Sequence, residues 1–202
     1  MQDPVELSRL LGHPVDPVRA FEAHYRAMDA YARMRLAGDD KGWAWWQDHF
    51  YGGVGMPQPE LGAGLTDNGF GLWTVAIDGT VEAVTRLREA GIRRAVVSNS
   101  DGSVRDSLSR AGFDDLFEFV VDSHELGVAK PDPAIFAHSL ARLEVEPAAA
   151  WYVGDSIYHD VGGANAAGLA VPVLVDPFHL AVEHSPRIES VALLPALLGL
   201  AP

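Results

Sequence analysis

The chain has 202 residues, enough for one domain or for a core domain carrying a modest insertion. Its formal charge is −13, with 28 acidic against 15 basic side chains, which argues against a nucleic-acid or anionic-membrane partner. Cysteine is absent, so disulfides and thiolate chemistry are excluded, and no apolar run reaches the roughly 18 residues of a membrane span.

The opening MQDPVELSRL has no basic and apolar regions of a signal peptide, so the expectation is a soluble, cytoplasmic protein. Val5, Leu7, Leu10 and Leu11 read as the end of a helix already under way, closed by Gly12. Asp16 is a natural N-cap with Pro17 at the first helical position, and Val18, Phe21, Tyr25, Met28 and Ala32 follow at steps of three and four. Gly38 stops that helix. A second is expected from about Asp40 to Tyr51, with Trp43, Trp46 and Phe50 on one side and Gly52-Gly53 at its end. The glycines of Gly52-Gly53-Val54-Gly55 lack the strand and helix context of a dinucleotide loop. Residues 54–72 are rich in Gly and Pro, with room for one short helix.

Trp73 to Val81, WTVAIDGTV, is an apolar stretch running into an acidic turn, and beyond it the rhythm changes to alternating helix and strand. Val81, Val84 and Leu87 mark a helix closed by Gly91, and Ala95-Val96-Val97 is a strand leading into Ser98-Asn99-Ser100. A helix over 103–111 ends at Gly112, and Phe117 to Val121 is a strand. Asp132 and Pro133 start the next helix, whose buried stripe is Ile135, Phe136, Leu140 and Leu143. Trp151-Tyr152-Val153 is a short buried strand, a Gly/Ala-rich helix spans 160–167, Val171 to Val175 is a strand, and 188–199 is a final helix. This order predicts an α/β fold with a doubly wound parallel sheet.

Ligands of such sheets bind outside the carboxyl ends of the strands, and three polar signatures lie near such ends. VVSN releases a hydroxyl and an amide at Ser98 and Asn99, VAKPDP holds Lys130 in a loop pinned by prolines, and YVGDS releases Asp155, with Asp160 five residues on. Each alone reads as a cap or a solvated surface group. Together, two carboxylates, a lysine and a small hydroxyl form a sensible site for Mg²⁺ and a phosphoryl group.

At these residues the sequence resembles the haloacid dehalogenase-like superfamily, specifically phosphatase-like members with a helical cap. AVVSNS is similar to its second motif, VAKPDPAIF to its third and YVGDSIYHDVGGANAAG to its fourth. The resemblance implies that Ser98, with Asn99, binds phosphate, that Lys130 bridges nucleophile and phosphate, and that Asp155 and Asp160 hold Mg²⁺ or its waters. It divides the chain into a remnant of the core–cap connection (1–14), a helical cap (15–72) and an α/β core (73–202). It further implies a small phosphorylated substrate, hydrolysed through an aspartyl-phosphate.

The departure is the family's first motif, a strand ending in D-x-D that carries the nucleophile and the acid/base. Nothing before Val15 supplies it, so the chain as given is expected to be inactive, with the central strand supplied by an upstream segment, replaced by a substitute, or lacking from a badly perturbed core. The internal candidate is Trp73 to Ile77, which on that reading lies between the strands ending at Ser98 and Asp155. DGT there is better read as the turn and N-cap of the next helix. Only nineteen residues separate Asp78 from Ser98, too few for a flap and cap as well as a helix and strand. The competing reading is a natural pseudoenzyme that keeps a metal or phosphate site for binding or regulation. Gly154-Asp155-Ser156 with His159 also spells a serine-esterase motif, but at the wrong end of the chain for that class. The cluster Trp43, Trp45, Trp46, His49 and Tyr51 reads as packing between cap helices before it reads as a substrate pocket. His179 and His184 read as solvated.

Overall fold

The computed structural model describes residues 2–55 and 73–200. Three helices open the chain: α1 (Pro4–Leu11), α2 (Pro17–Leu36) and α3 (Trp43–Gly53). Helix α1 is not the tail of a longer helix. The Asp3 carboxylate accepts the N–H groups of Val5 and Glu6, so the helix starts at its own N-cap, and Gly12 closes it in the left-handed conformation. Asp16 and Pro17 open α2 as the sequence predicts, with the Asp16 carboxylate on the N–H groups of Val18 and Arg19. The three helices share a core of Leu7, Ala23, Met28, Trp46 and Phe50. Val18 falls outside it and is exposed.

The remainder alternates helix and strand: α4 (Thr80–Glu89), β1 (Ala95–Ser98), α5 (Val104–Arg110), β2 (Phe119–Asp122), α6 (Ser123–Leu126), α7 (Pro133–Leu143) and β3 (Trp151–Gly154). A π-helical turn (Ile157–Gly162) then runs into α8 (Gly163–Ala166), followed by β4 (Val171–Val175), β5 (Arg187–Ile188) and α9 (Leu194–Leu197). Every ladder is parallel. Ala95 pairs with Phe119 and Ser98 with Asp122; Trp151 pairs with Val171 and Gly154 with Leu174; Leu174 and Val175 pair with Arg187 and Ile188. The expected final helix over 188–199 is therefore broken: its first residue belongs to β5, and only its last part is helical.

The strands form two groups, β1–β2 and β3–β4–β5, and no strand among the described residues joins them. Trp73 to Ile77 does not fill the gap. The segment carries no strand; the Trp73 ring meets His24 edge to face at 4.8 Å and packs on the α1–α3 core, and Thr74 is buried. That packing holds it against the helices, and the chain then turns at Gly79 (φ 75°) directly into α4. The substitute-strand expectation is thereby corrected. The expected turn at Asp78-Gly79 is present, though no side chain caps α4. The short helix expected within 54–72 lies almost wholly outside the described residues.

One core joins α2 to the second group through Tyr25, Val173, Val175 and Leu87. Another packs α7 and α8 on Val121 and Tyr152. The two groups thus share the α7–α8 core, and a cavity of about 710 Å³ lies between them.

Candidate functional site

The residues singled out from the sequence all line this cavity: Ser98 and Asn99 after β1, Lys130 before α7, Asp155 after β3 and Asp160 in the π-helical turn. Topology explains the convergence, because parallel strands release their chain at one edge of the sheet.

Lys130 is held from three sides. Its Nζ donates to Asp160 Oδ1 at 2.7 Å and to the Tyr152 hydroxyl at 3.0 Å, and the ammonium lies 5.5 Å from the Tyr152 ring centre. The Asn99 amide fixes its backbone, donating to the Lys130 carbonyl at 2.9 Å and accepting the Lys130 N–H at 2.8 Å. Asn99 thus positions the lysine loop in this arrangement, with both side-chain polar atoms engaged. Burial alone would lower the Lys130 pKa, but the facing Asp160 carboxylate outweighs it and holds the ammonium protonated well above its usual range.

Asp160 is 3% exposed, and both its oxygens are engaged: Oδ1 by Lys130, Oδ2 by the Ser156 N–H at 2.9 Å. Gly154 makes room for it. A Cβ at Gly154 would sit 2.4 Å from Asp160 Cγ, well inside contact distance. Gly154→Ala is therefore expected to displace Asp160 and lower stability by about 1–3 kcal/mol, read as a shift of the urea midpoint at unchanged slope.

Asp155 is met by a residue the sequence reading passed over. His24, on α2, donates Nε2–H to Asp155 Oδ2 at 2.8 Å, while its Nδ1 is buried without a hydrogen-bond partner. Burial raises the Asp155 pKa, but the His24 bond and charge, with Lys130 behind them, win and keep it below the usual carboxylate range. The signal for His24 was a polar residue on the buried face of α2, four positions from both Ala20 and Met28.

Ser156 is 1% exposed, and its Oγ accepts the His159 N–H at 3.2 Å as the cap of the π-helical turn. The same Oγ lies 3.1 Å from His159 Nδ1, the contact an esterase would need, but at 1% exposure the hydroxyl is closed to a substrate carbonyl. His159 stacks on Tyr31 at 5.6 Å, and its pKa is pushed down to about 4, chiefly by burial and further by Lys130 and Arg35, against the pull of Asp160 and Asp155. A lowered histidine pKa means the unfolded chain binds the extra proton. Its contribution to stability is complete above pH about 6.5 and is lost as pH falls toward 4. After solvent screening the loss is expected to be about 2–3 kcal/mol, and His159→Gln should flatten that part of a stability–pH curve.

Hard oxygen ligands with several retained waters suit Mg²⁺, and one or two carboxylates beside a phosphate are its usual protein ligands. Asp155 and Asp160 supply oxygens of that chemical type, with both Asp160 oxygens and Asp155 Oδ2 already hydrogen-bonded within the protein. No group of three metal-binding side chains converges among the described residues. His179 instead pairs with Glu189, and His184 meets the Pro172 carbonyl. The aromatic cluster divides: Trp46 is buried between Trp43 and Phe50, whereas Trp43 also lines the cavity.

The profile of the haloacid dehalogenase-like hydrolases matches residues 18–168. Haloacid dehalogenase-like hydrolase domain-containing protein 3 of Mus musculus is 32% identical over 196 residues, covering 91% of this chain and 77% of that protein. The match to its Bos taurus counterpart spans 51% of that protein. A glyceraldehyde 3-phosphate phosphatase of Methanopyrus kandleri is 41% identical over 90 residues, 44% of this chain and 39% of that protein. Among solved structures, a HAD phosphatase from Thermococcus onnurineus superposes with a TM-score of 0.61 at 26% identity, covering 96% of this chain and 86% of that one.

Proposed function

Since this chain belongs to the haloacid dehalogenase-like hydrolase family, we propose that it is the phosphate-holding body of a Mg²⁺-dependent phosphatase for a small phosphorylated metabolite. The observation that carries this reading is the buried Lys130 ammonium, held between Asp160 and Tyr152, with its backbone clamped by Asn99 at the mouth of the strands. A lysine kept charged at any working pH neutralises phosphate, and the Ser98 hydroxyl at the end of β1 is the neighbouring donor. Asp155 and Asp160 would hold Mg²⁺, which supplies charge neutralisation to a transferring phosphoryl group. Helices α2 and α3 serve as the cap, bringing His24 onto Asp155 and closing the cavity on the side away from the strands.

The transfer step itself needs a carboxylate nucleophile and an acid/base. The acidic residues among the described lining are Asp155 and Asp160, one bound to His24 and the other to Lys130. The chain as given is therefore expected to give no Mg²⁺-dependent hydrolysis of p-nitrophenyl phosphate above background. A form fused at its N-terminus to an apolar strand ending in D-x-D should gain that activity, and Asp155→Asn should then abolish it. Full activity in the Asn variant would refute the metal role. A fused form that folds, binds phosphate and never turns over would favour the binding or regulatory alternative.

A further inference from the structure

Given this reading of the site, the cavity also specifies the rest of the ligand. Among the described lining residues Lys130 is the only lysine or arginine, and it already faces Asp160. Residues 56–72 contain no Lys, Arg or His, so that stretch adds no cation. The nearby arginines are engaged elsewhere: Arg19 on the Gly53 carbonyl, Arg33 on Asp29 and Glu183, Arg35 on Asp40 and Tyr158. With Lys130 committed to Asp160 and to one phosphate, a second anionic group on the ligand would be desolvated with no further lysine or arginine among the described lining residues to meet it.

The wall opposite the strands has the reverse character. Met28 and Tyr31 from α2, Trp43 from α3 and Trp73 all line the cavity. Trp43 stands edge to face with Tyr31 at 5.9 Å, and Trp73 is fixed edge to face against His24 at 4.8 Å. Both indoles are held by neighbouring rings, so a flat ligand meets a surface that is already ordered. The cavity of about 710 Å³ is partly open and includes the slot between β1 and β3; the part beside Met28, Tyr31, Trp43 and Trp73 is where a ring would lie.

We propose that the ligand is a monophosphate ester of an uncharged leaving group bearing a flat ring, as in an aryl or nucleoside monophosphate, and that bisphosphates and carboxylated phosphates are rejected. The phosphate lies at the Lys130 end and the ring against Trp43, Tyr31 and Trp73.

Calorimetric titration of the chain as it exists, with Mg²⁺, compares inorganic phosphate, phenyl phosphate and fructose 1,6-bisphosphate. Phenyl phosphate is expected to bind about tenfold tighter than inorganic phosphate, the size of one good ring contact. The bisphosphate should bind no tighter than inorganic phosphate. Trp73→Leu and Trp43→Leu, each checked for folding by circular dichroism, should bring phenyl phosphate to within about threefold of inorganic phosphate; either folded variant suffices. Phosphate binding without an aryl advantage, or a bisphosphate that binds tightest, overturns this inference and leaves the phosphatase reading standing. Failure of all three ligands to bind overturns both.

Discussion

Replacing Lys130 by methionine is expected to lower stability by about 3–5 kcal/mol, a large share of the roughly 5–15 kcal/mol available to a domain. The cause is the partner left behind. Asp160 is 3% exposed, and its Oδ1 has the Lys130 ammonium at 2.7 Å; without it a carboxylate stays buried with half its charge uncompensated. Tyr152 also loses the donor at its oxygen, though its hydroxyl still reaches the Val97 carbonyl at 3.1 Å. In thermal unfolding the loss should appear as a fall of about 10–15 °C for a chain of this size. The decisive comparison is the double variant Lys130→Met/Asp160→Asn. It keeps an oxygen for the Ser156 N–H but buries no lone charge, so it should recover about 2 kcal/mol or more of what the single change loses. Strict additivity of the two changes would show that the pair is not coupled through burial.

This pair marks the division between what local sequence reveals and what it hides. Lys130, Asp155 and Asp160 were legible because each lies at a strand end or loop with a strong local signature, such as the proline-pinned loop or the glycine before Asp155. Asp16-Pro17 and Asp132-Pro133 were legible as helix starts for the same reason: a cap needs only its own next three residues. Trp151-Tyr152-Val153 reads as a buried strand, yet Trp151 is 39% exposed, and nothing in WYVG shows that the Tyr152 hydroxyl spans from β3 to the Val97 carbonyl of β1. His24 and Asp155 are 131 positions apart, so their bond is a product of packing and has no trace in either neighbourhood.

Shorter elements were misread because their patterns are shorter than the period that defines them. Arg187–Ile188 makes a strand only because β4 offers its outer edge; two residues carry no alternation. Ser123–Leu126 forms one helical turn because Asp122, 1% exposed, accepts the His124 N–H and also the Gly102 N–H across the loop. Trp73 to Ile77 misled in the opposite direction. Its apolar run suits a strand, but its tryptophan found a better surface on the aromatic helices than a ladder partner in the sheet.

That leaves the gap between β1 and β3, where the second large effect is expected. A ten-residue peptide of alternating apolar side chains ending in D-x-D, added to the protein, should raise its unfolding midpoint and protect the inner amides of residues 95–98 and 151–154. Each of these strands is paired on one side only, β1 with β2 and β3 with β4. On its inner side β1 meets a tyrosine hydroxyl from β3 at the Val97 carbonyl instead of a backbone partner. A strand lies about 4.8 Å from each neighbour in the pairing direction, so an occupant of this slot takes the Val97 carbonyl over from the Tyr152 hydroxyl. Because both neighbours run the same way, the occupant runs parallel to them, and its carboxyl end arrives between Ser98 and Asp155, beside Lys130. An acidic pair at that end meets Lys130, the only lysine among the described lining residues, whereas the reversed sequence would carry its charge to the opposite end, away from Lys130. At a peptide concentration one hundred times the dissociation constant, mass action adds about 2.7 kcal/mol. For a chain of this length that corresponds to a rise of about 5–10 °C. A reversed or scrambled peptide should give no shift, and hydrogen exchange should show new protection on both strands together. Binding that protects only one strand, or neither, would sink the strand-slot reading, because a strand in that position must pair with both edges at once.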